Sequence, residues 1–264
     1  MSLSRAAVAA LVAALLLLAA AGCGGGETAS RGGQRAHTVV LALDFTPNAV
    51  HAPIYAAVRT GRDRANGIRL RIRPPGEGPD SLKLVASGRA ALGVLDIHDL
   101  AIARQRGVDV VAVGALVRRP LAALLAQPGI RRPRDLAGRT VGVSGLPSDP
   151  AFLRAIVRSD GGDYARIRQV TIGFKAVTAL LTRRVAAVPA FWNAEGVAVE
   201  HRGRHVRQFR VEDYGAPPYP EVVLITAART LAAHRADVQA ALRAIAAGVR
   251  EVTARPEPAA RQIA

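Results

Sequence analysis

Thr38-Val39-Val40-Leu41-Ala42-Leu43-Asp44-Phe45-Thr46-Pro47-Asn48-Ala49 is a β-rich apolar run that ends in a turn signal able to cap a helix starting near Ala49. Strand, loop, helix is the opening unit, and the chain repeats it. Ile68, Leu70 and Ile72 alternate with arginines, as in a strand with one wet face. Pro74 to Asp80 is a Pro/Gly loop, and Ser81 is expected to cap a short helix running to Gly88. Ala91 to Leu95 reads as a strand, Ile97 to Arg104 as a helix and Val108 to Val117 as a strand. Such β-α alternation predicts a mostly parallel, right-handed sheet.

A second series follows Arg118-Arg119-Pro120. Its expected strands are Leu121 to Ala126, Thr140 to Ser144, Val170 to Ile172 and Val185 to Phe191. Its expected helices are Ala151 to Arg158 behind Ser148, Val177 to Thr182, and Asn193 to His201. Tyr214 to Pro220 is a Pro-rich crossing into the apolar strand Val222 to Thr226. Val238, Leu242, Ile245 and Val249 then recur at the spacing of an amphipathic helix. No internal repeat is visible in the residues. Two α/β series joined by two crossings predict two lobes with a cleft between them. The expected boundaries are residues 37–118 for the first part of lobe 1, 119–227 for lobe 2, and 228–264 for a return to lobe 1.

Upstream of the first strand, Arg5 and the uncharged apolar stretch Ala7 to Ala21 have the anatomy of a targeting segment, too short for a membrane span. The stretch ends in Leu18-Ala19-Ala20-Ala21-Gly22-Cys23, which resembles a bacterial lipobox. Residues 1–23 are therefore expected to be a lipoprotein signal peptide with Cys23 as the lipidation site, and residues 24–36 a flexible Gly-rich tether. The other reading makes Cys23 an incidental residue of an Ala-rich signal cleaved elsewhere. Cys23 is the one cysteine of the chain, so neither a disulfide nor a thiolate metal site is expected. The localisation this implies is export, with the chain held by lipid on the outer face of the cytoplasmic membrane.

A net charge of +16 invites a nucleic-acid reading. Against it, the arginines are spread along the chain, the longest cluster is Arg131-Arg132-Pro133-Arg134, and aromatics make up only 4% of residues, too few for base stacking. No nucleic-acid partner is expected, and attraction to anionic lipid beside the anchor is the more natural use of the charge.

Ligands of open α/β sheets bind at the carboxyl ends of the strands. Asp44, Phe45, Asn48 and His51 follow the first strand, and Asp96, His98 and Asp99 follow the third. In the second series Ser144 follows one strand, while Trp192, Asn193 and Glu195 follow another. Taken alone, several have structural roles open to them. Trp192 suits an inter-lobe core, Asn48 a helix cap, and Asp44 and Asp96 turn ends, while His51 and His98 suit structural hydrogen bonding.

Leu43 to His51, Val94-Leu95-Asp96-Ile97-His98-Asp99-Leu100, Phe191-Trp192-Asn193-Ala194-Glu195-Gly196 and Gly215-Ala216-Pro217-Pro218-Tyr219-Pro220 resemble the NMT1/THI5-like family. That family contains bacterial pyrimidine-binding transport proteins and fungal thiamine-pyrimidine synthases. The resemblance implies an α/β fold of the type II periplasmic-binding-protein kind, closing by hinge motion over a heteroaromatic ligand. It further implies an ABC-importer solute-binding protein for a thiamine-pyrimidine precursor, with a permease and its ATPase as partners, the membrane reached by the lipid anchor, and no cofactor or metal. An aminopyrimidine wants a carboxylate, an amide and an aromatic platform. The ligand-binding candidates are accordingly Trp192 with Phe45 or Tyr55 for stacking, Glu195 for the amine and ring nitrogen, and Asn48 and Asn193 for orientation, with His51 and Asp96 in second rank.

The alternatives are a synthase-like enzyme, a binding protein for an alkanesulfonate, taurine or nitrate, and a ligand-sensing lipoprotein. The synthases use a lysine for pyridoxal phosphate and a cysteine-rich stretch; here the lysines are Lys83 and Lys175, neither within Gly93 to Leu100, and no cysteine follows Cys23. His201 and His205 stand four apart, but Gly203 between them argues against a shared helix face for a metal. No Walker loop, Gly-x-Ser-x-Gly elbow or His-Glu-x-x-His helix is present. Family members usually continue for several helices past the position of Ala264, so lobe 1 is expected to lack part of its cover.

Overall fold

The computed structural model describes residues 36–76 and 78–261. The expected signal peptide, the lipidated Cys23 and the tether up to residue 35 lie outside the described residues. Two five-stranded sheets organise the chain. The first contains β1 (His37–Ala42), β2 (Ile68–Arg73), β3 (Leu92–Asp96), β4 (Val110–Val117) and β10 (Val222–Ala227) in the order β2-β1-β3-β10-β4. The second contains β5 (Ala122–Ala126), β6 (Thr140–Val143), β7 (Arg168–Thr171), β8 (Ala187–Phe191) and β9 (Arg207–Arg210) in the order β7-β6-β8-β5-β9. The two orders are the same pattern, with β10 and β5 in equivalent places.

Each sheet is mostly parallel, as the alternation leads one to expect, with four strands running one way and a single strand against them. β1 runs parallel to β2 and β3, whereas β10 is antiparallel to both β3 and β4. Likewise β6 is parallel to β7 and β8, whereas β5 is antiparallel to β8 and β9. The antiparallel strands are the two that enter a lobe from the other one, so they arrive from the cleft end. The placement of β10 also moves the return to lobe 1 from residue 228 to Val222, because the strand assigned to lobe 2 is central to the first sheet.

Local sequence accounts for most elements. In β2, Ile68 and Leu70 are buried while Arg69 and Arg71 are exposed, the period-two pattern of a half-wet strand. Buried along its whole length, β10 is the continuous apolar run of a central strand. Lobe 1 is covered by α1 (Ala52–Arg59), α2 (Arg62–Ala65), α3 (Ser81–Ala86) and α4 (Ile97–Gln105). Lobe 2 carries α5 (Asp149–Ser159), α6 (Ala176–Leu181) and α7 (Val197–Glu200), and α8 (Ala228–Ala233), α9 (Arg235–Ala254) and α10 (Pro256–Ala260) follow β10. Val238, Ala241 and Ile245 of α9 join the lobe 1 core with Ile54 of α1. The two helices touch at Gly248, where a Cβ would collide with the Pro53 carbonyl.

Asp80, not Ser81, is the cap residue of α3. Ser81 Oγ instead donates to the Val94 carbonyl at 2.7 Å, tying the helix to β3. Gly93 makes room for that contact, since a Cβ there would come within 2.6 Å of Ser81 Oγ. The expected helix from Asn193 begins as a π-turn over Trp192–Gly196 before α7. β9 is an element that periodicity did not reveal, because Arg-Gln-Phe-Arg buries only Phe209.

Candidate functional site

On the lobe 1 side the chain leaves β1 into Asp44 and Phe45, and a single 3-10 turn, Ala49–His51, leads into α1. Asn48 caps that turn: its Oδ1 accepts the Val50 N–H at 2.9 Å. His51 is 1% exposed and both ring nitrogens are engaged. Nδ1 accepts the Asn48 N–H at 3.2 Å, so Nε2 carries the proton of the neutral ring and donates to Asp44 Oδ1 at 2.8 Å. His51 therefore aims the Asp44 carboxylate instead of offering a nitrogen to a ligand. Tyr55 packs on the lobe 1 core, and burial raises its phenol above the ordinary range.

On the lobe 2 side the π-turn concentrates Trp192, Asn193 and Glu195 at the carboxyl end of β8. A π-turn inside a helix start is a common device for re-aiming side chains at functional sites. Glu195 is buried and accepts the Phe191 N–H at 3.1 Å. Burial pushes its carboxyl up, and the Asp44 carboxylate adds to the effect. Trp192 Nε1 and Asn193 Oδ1 are buried without hydrogen-bond partners among the described residues. Buried polar atoms are almost always paired, so this donor and acceptor on adjacent residues have hydrogen-bonding capacity to spare. The Arg210 guanidinium lies over the Trp192 ring, 4.0 Å from its centroid, and the indole also packs against the cores of both lobes.

The lobes meet at three further places. Phe45 of lobe 1 and Phe174 of lobe 2 have ring centroids 4.2 Å apart. Asp99 of α4 accepts the Ser148 N–H at the start of α5, at 3.0 Å. Glu221, on the return crossing, is fully buried; its Oε2 accepts the N–H groups of Leu121 and of Ala122, the latter at 2.9 Å, at the entry to β5. Asp96 caps α4 through the His98 N–H at 2.7 Å and also pairs with the His98 ring at 2.9 Å, while Tyr219 meets that ring edge-on at 4.7 Å. The pairing with Asp96 raises the His98 imidazole, burial opposing it. Burial, reinforced by Asp96, pushes Glu221 up to about 7 and Asp99 up to about 6.

Of the residues singled out in the sequence, Phe45, Asn48, Trp192, Asn193 and Glu195 stand on the two cleft walls, and Asp96 stands at the crossing. Phe174, Arg210, Tyr219 and Glu221 were missed. Glu221 carries a signal in retrospect: it is the single acid between Pro220 and the apolar run of β10. A separate hollow of 420 Å³ opens at the other end of the second sheet, lined by Arg139, Arg168, Arg183 and Arg184. It lies at the strand starts, away from Trp192.

The NMT1/THI5 like family model matches residues 48–259. The chain belongs to the NMT1/THI5-like family. Among this family's curated members, the formylaminopyrimidine-binding protein of Halalkalibacterium halodurans is 35% identical over 192 residues, 72% of this chain and 58% of that protein. A 4-amino-5-hydroxymethyl-2-methylpyrimidine phosphate synthase of Legionella pneumophila is 28% identical over 170 residues, 62% of this chain and 52% of that one. The chain thus spans little more than half the length of these relatives. The alkanesulfonate-binding protein SsuA of Xanthomonas axonopodis superposes with a TM-score of 0.69 at 16% identity, covering 86% of this chain and 78% of that one. The NMT1/THI5-like chain therefore has the two-lobe, type II periplasmic-binding-protein fold.

Proposed function

We propose that this NMT1/THI5-like chain is a solute-binding protein that captures an aminopyrimidine of the thiamine-precursor type and delivers it, exported and lipid-anchored, to an ABC permease and its ATPase. The observation that carries the reading is the unpaired pair Trp192 Nε1 and Asn193 Oδ1 beside the buried Glu195 carboxyl. A donor, an acceptor and a carboxylate match the ring nitrogens and exocyclic amine of that ligand, and the indole of Trp192 suits its flat surface. Asp44, held by His51, supplies a second carboxylate from the opposite lobe. The name of the Halalkalibacterium relative points to the same ligand class.

The synthase names among the relatives favour an enzyme, yet this chain has no amine placed for Schiff-base chemistry. Lys83 and Lys175 are both exposed, and neither is on the β3–α4 connection. The role is capture and release by lobe motion, not catalysis. An anionic ligand of the alkanesulfonate kind is the second reading, favoured by Arg210 over Trp192.

Calorimetric titration with formylaminopyrimidine, hydroxymethylpyrimidine, thiamine and taurine tests both readings. Saturable pyrimidine binding of about −8 kcal/mol, in the micromolar range, that falls at least tenfold in Glu195→Gln supports the first. Binding of taurine alone, lost in Arg210→Ala, overturns it in favour of the second.

A further inference from the structure

Asp96, Asp99, Asp149 and Glu221 gather where the lobes meet, in a chain whose Lys and Arg outnumber Asp and Glu by 36 to 20. Among the described residues, none of the four has an arginine or lysine within ion-pair distance; Asp96 pairs only with the His98 ring. Asp99, Asp149 and Glu221 are moreover buried, 2%, 6% and 0% exposed. Concentrated negative charge under low solvent exposure is costly unless something positive joins it.

The most constrained member is Glu221. Its Oε2 is committed to the entry of β5, while its Oε1 is buried with no hydrogen-bond partner among the described residues. Asp96, His98 and Glu221 can each present one ligand atom, and these atoms lie within 4.8 Å of one another. A tetrahedral zinc ion with bonds of about 2.0–2.1 Å holds its ligands about 3.4 Å apart, and the half-exposed His98 is the member with most freedom to adjust to that spacing.

We infer that Asp96, His98 and Glu221 form a zinc-type divalent-cation site at the crossing between the lobes, with a water in the fourth position. One imidazole and two carboxylates suit Zn²⁺ or Co²⁺, and supply too few oxygens for Ca²⁺. The bound cation neutralises the carboxylate cluster and ties the end of β3 to Glu221, whose other oxygen grips the start of β5. It therefore stiffens the hinge independently of which solute the cleft takes.

The test is titration of the metal-stripped full chain, purified in detergent, with Co²⁺ read by its visible absorption, followed by displacement with Zn²⁺. One equivalent is expected to bind with a four-coordinate spectrum and to be displaced by zinc. His98→Ala, a change at a half-exposed side chain, is expected to weaken cobalt binding at least tenfold. Glu221→Gln, which keeps an oxygen for the Leu121 and Ala122 N–H groups, is expected to do the same. No cobalt spectrum in the wild type means that the cluster holds no divalent cation, and the site is overturned. Equal binding by wild type and His98→Ala places the ion elsewhere and also overturns it. Pyrimidine titration is read separately, so failure here leaves the solute-binding reading standing.

Discussion

The two lobes share one strand order but are covered differently. Lobe 1 is wrapped by the 20-residue α9, seated against α1 and buried along Val238, Ala241, Ala244 and Ile245. Lobe 2 relies on the 11-residue α5 and the 6-residue α6, and all four residues of its edge strand β7 are exposed. The same topology is thus held by one long helix pair in lobe 1 and by several short contacts in lobe 2. Local opening free energy follows buried apolar contact, so lobe 2 is expected to open first.

The sharpest way to break that comparison is to empty the lobe 2 core. Leu153 on α5 is fully buried, and Leu153→Ala is expected to cost about 4 kcal/mol. Amide hydrogen exchange should show the loss of protection confined to residues 121–214, with α1 and α9 still protected. If α9 loses protection equally, the lobes are one cooperative unit and the asymmetry has no energetic meaning.

Gly248→Ala probes the other side. In an ordinary helix interior this change stabilises by about 1 kcal/mol; here the added Cβ meets the Pro53 carbonyl, and a loss of about 2–3 kcal/mol by urea melting is expected from overpacking. A gain in stability would show that α1 and α9 do not approach so closely in solution.

Asp99 tests the join between lobes. Its carboxyl, pushed by burial and then by Asp96 to about 6, binds its proton more tightly in the folded chain than in the unfolded one. Stability is therefore full below the unfolded value near pH 4 and falls as pH rises through about 6. Asp99→Asn keeps an acceptor for the Ser148 N–H and removes the penalty. The variant should match wild type at pH 4 and exceed it by about 2 kcal/mol at pH 7.5. A flat difference across that range would remove Asp99 as the titrating group.

The smallest effect is expected at the bare edge of lobe 2. Val170 on β7 is 43% exposed, and Val170→Lys should change stability by less than about 0.5 kcal/mol while discouraging edge-to-edge pairing. A larger loss would reveal cover over β7.

Much of this architecture was legible because local chemistry is periodic. The strand at Ile68, the π-turn residues at the end of β8 and the Asn48 cap all announce themselves within a few positions. Strand direction does not: the run Val222 to Thr226 looks the same whichever way it enters a sheet, so β10 was assigned to the wrong lobe and its antiparallel entry was missed. β9 escaped because one buried Phe among arginines has no period. Of the cleft, the residues at strand ends were readable, whereas Phe45 against Phe174 and Glu221 against Leu121 are pairings between distant segments that only the folded chain brings together.

The position of β10 bears on how the protein comes into being. The middle of the first sheet is filled by residues 222–227, made after the whole of lobe 2, so β3 and β4 must wait unpaired with each other across an empty slot during synthesis. The second sheet draws all its strands from one contiguous stretch, residues 122–210. Lobe 2 is thus the part able to fold as soon as its own residues have emerged, and the amino-terminal half finishes last, since non-local pairing is slow to form. A nascent chain arrested before Val222 should protect lobe 2 from protease and leave lobe 1 open to it.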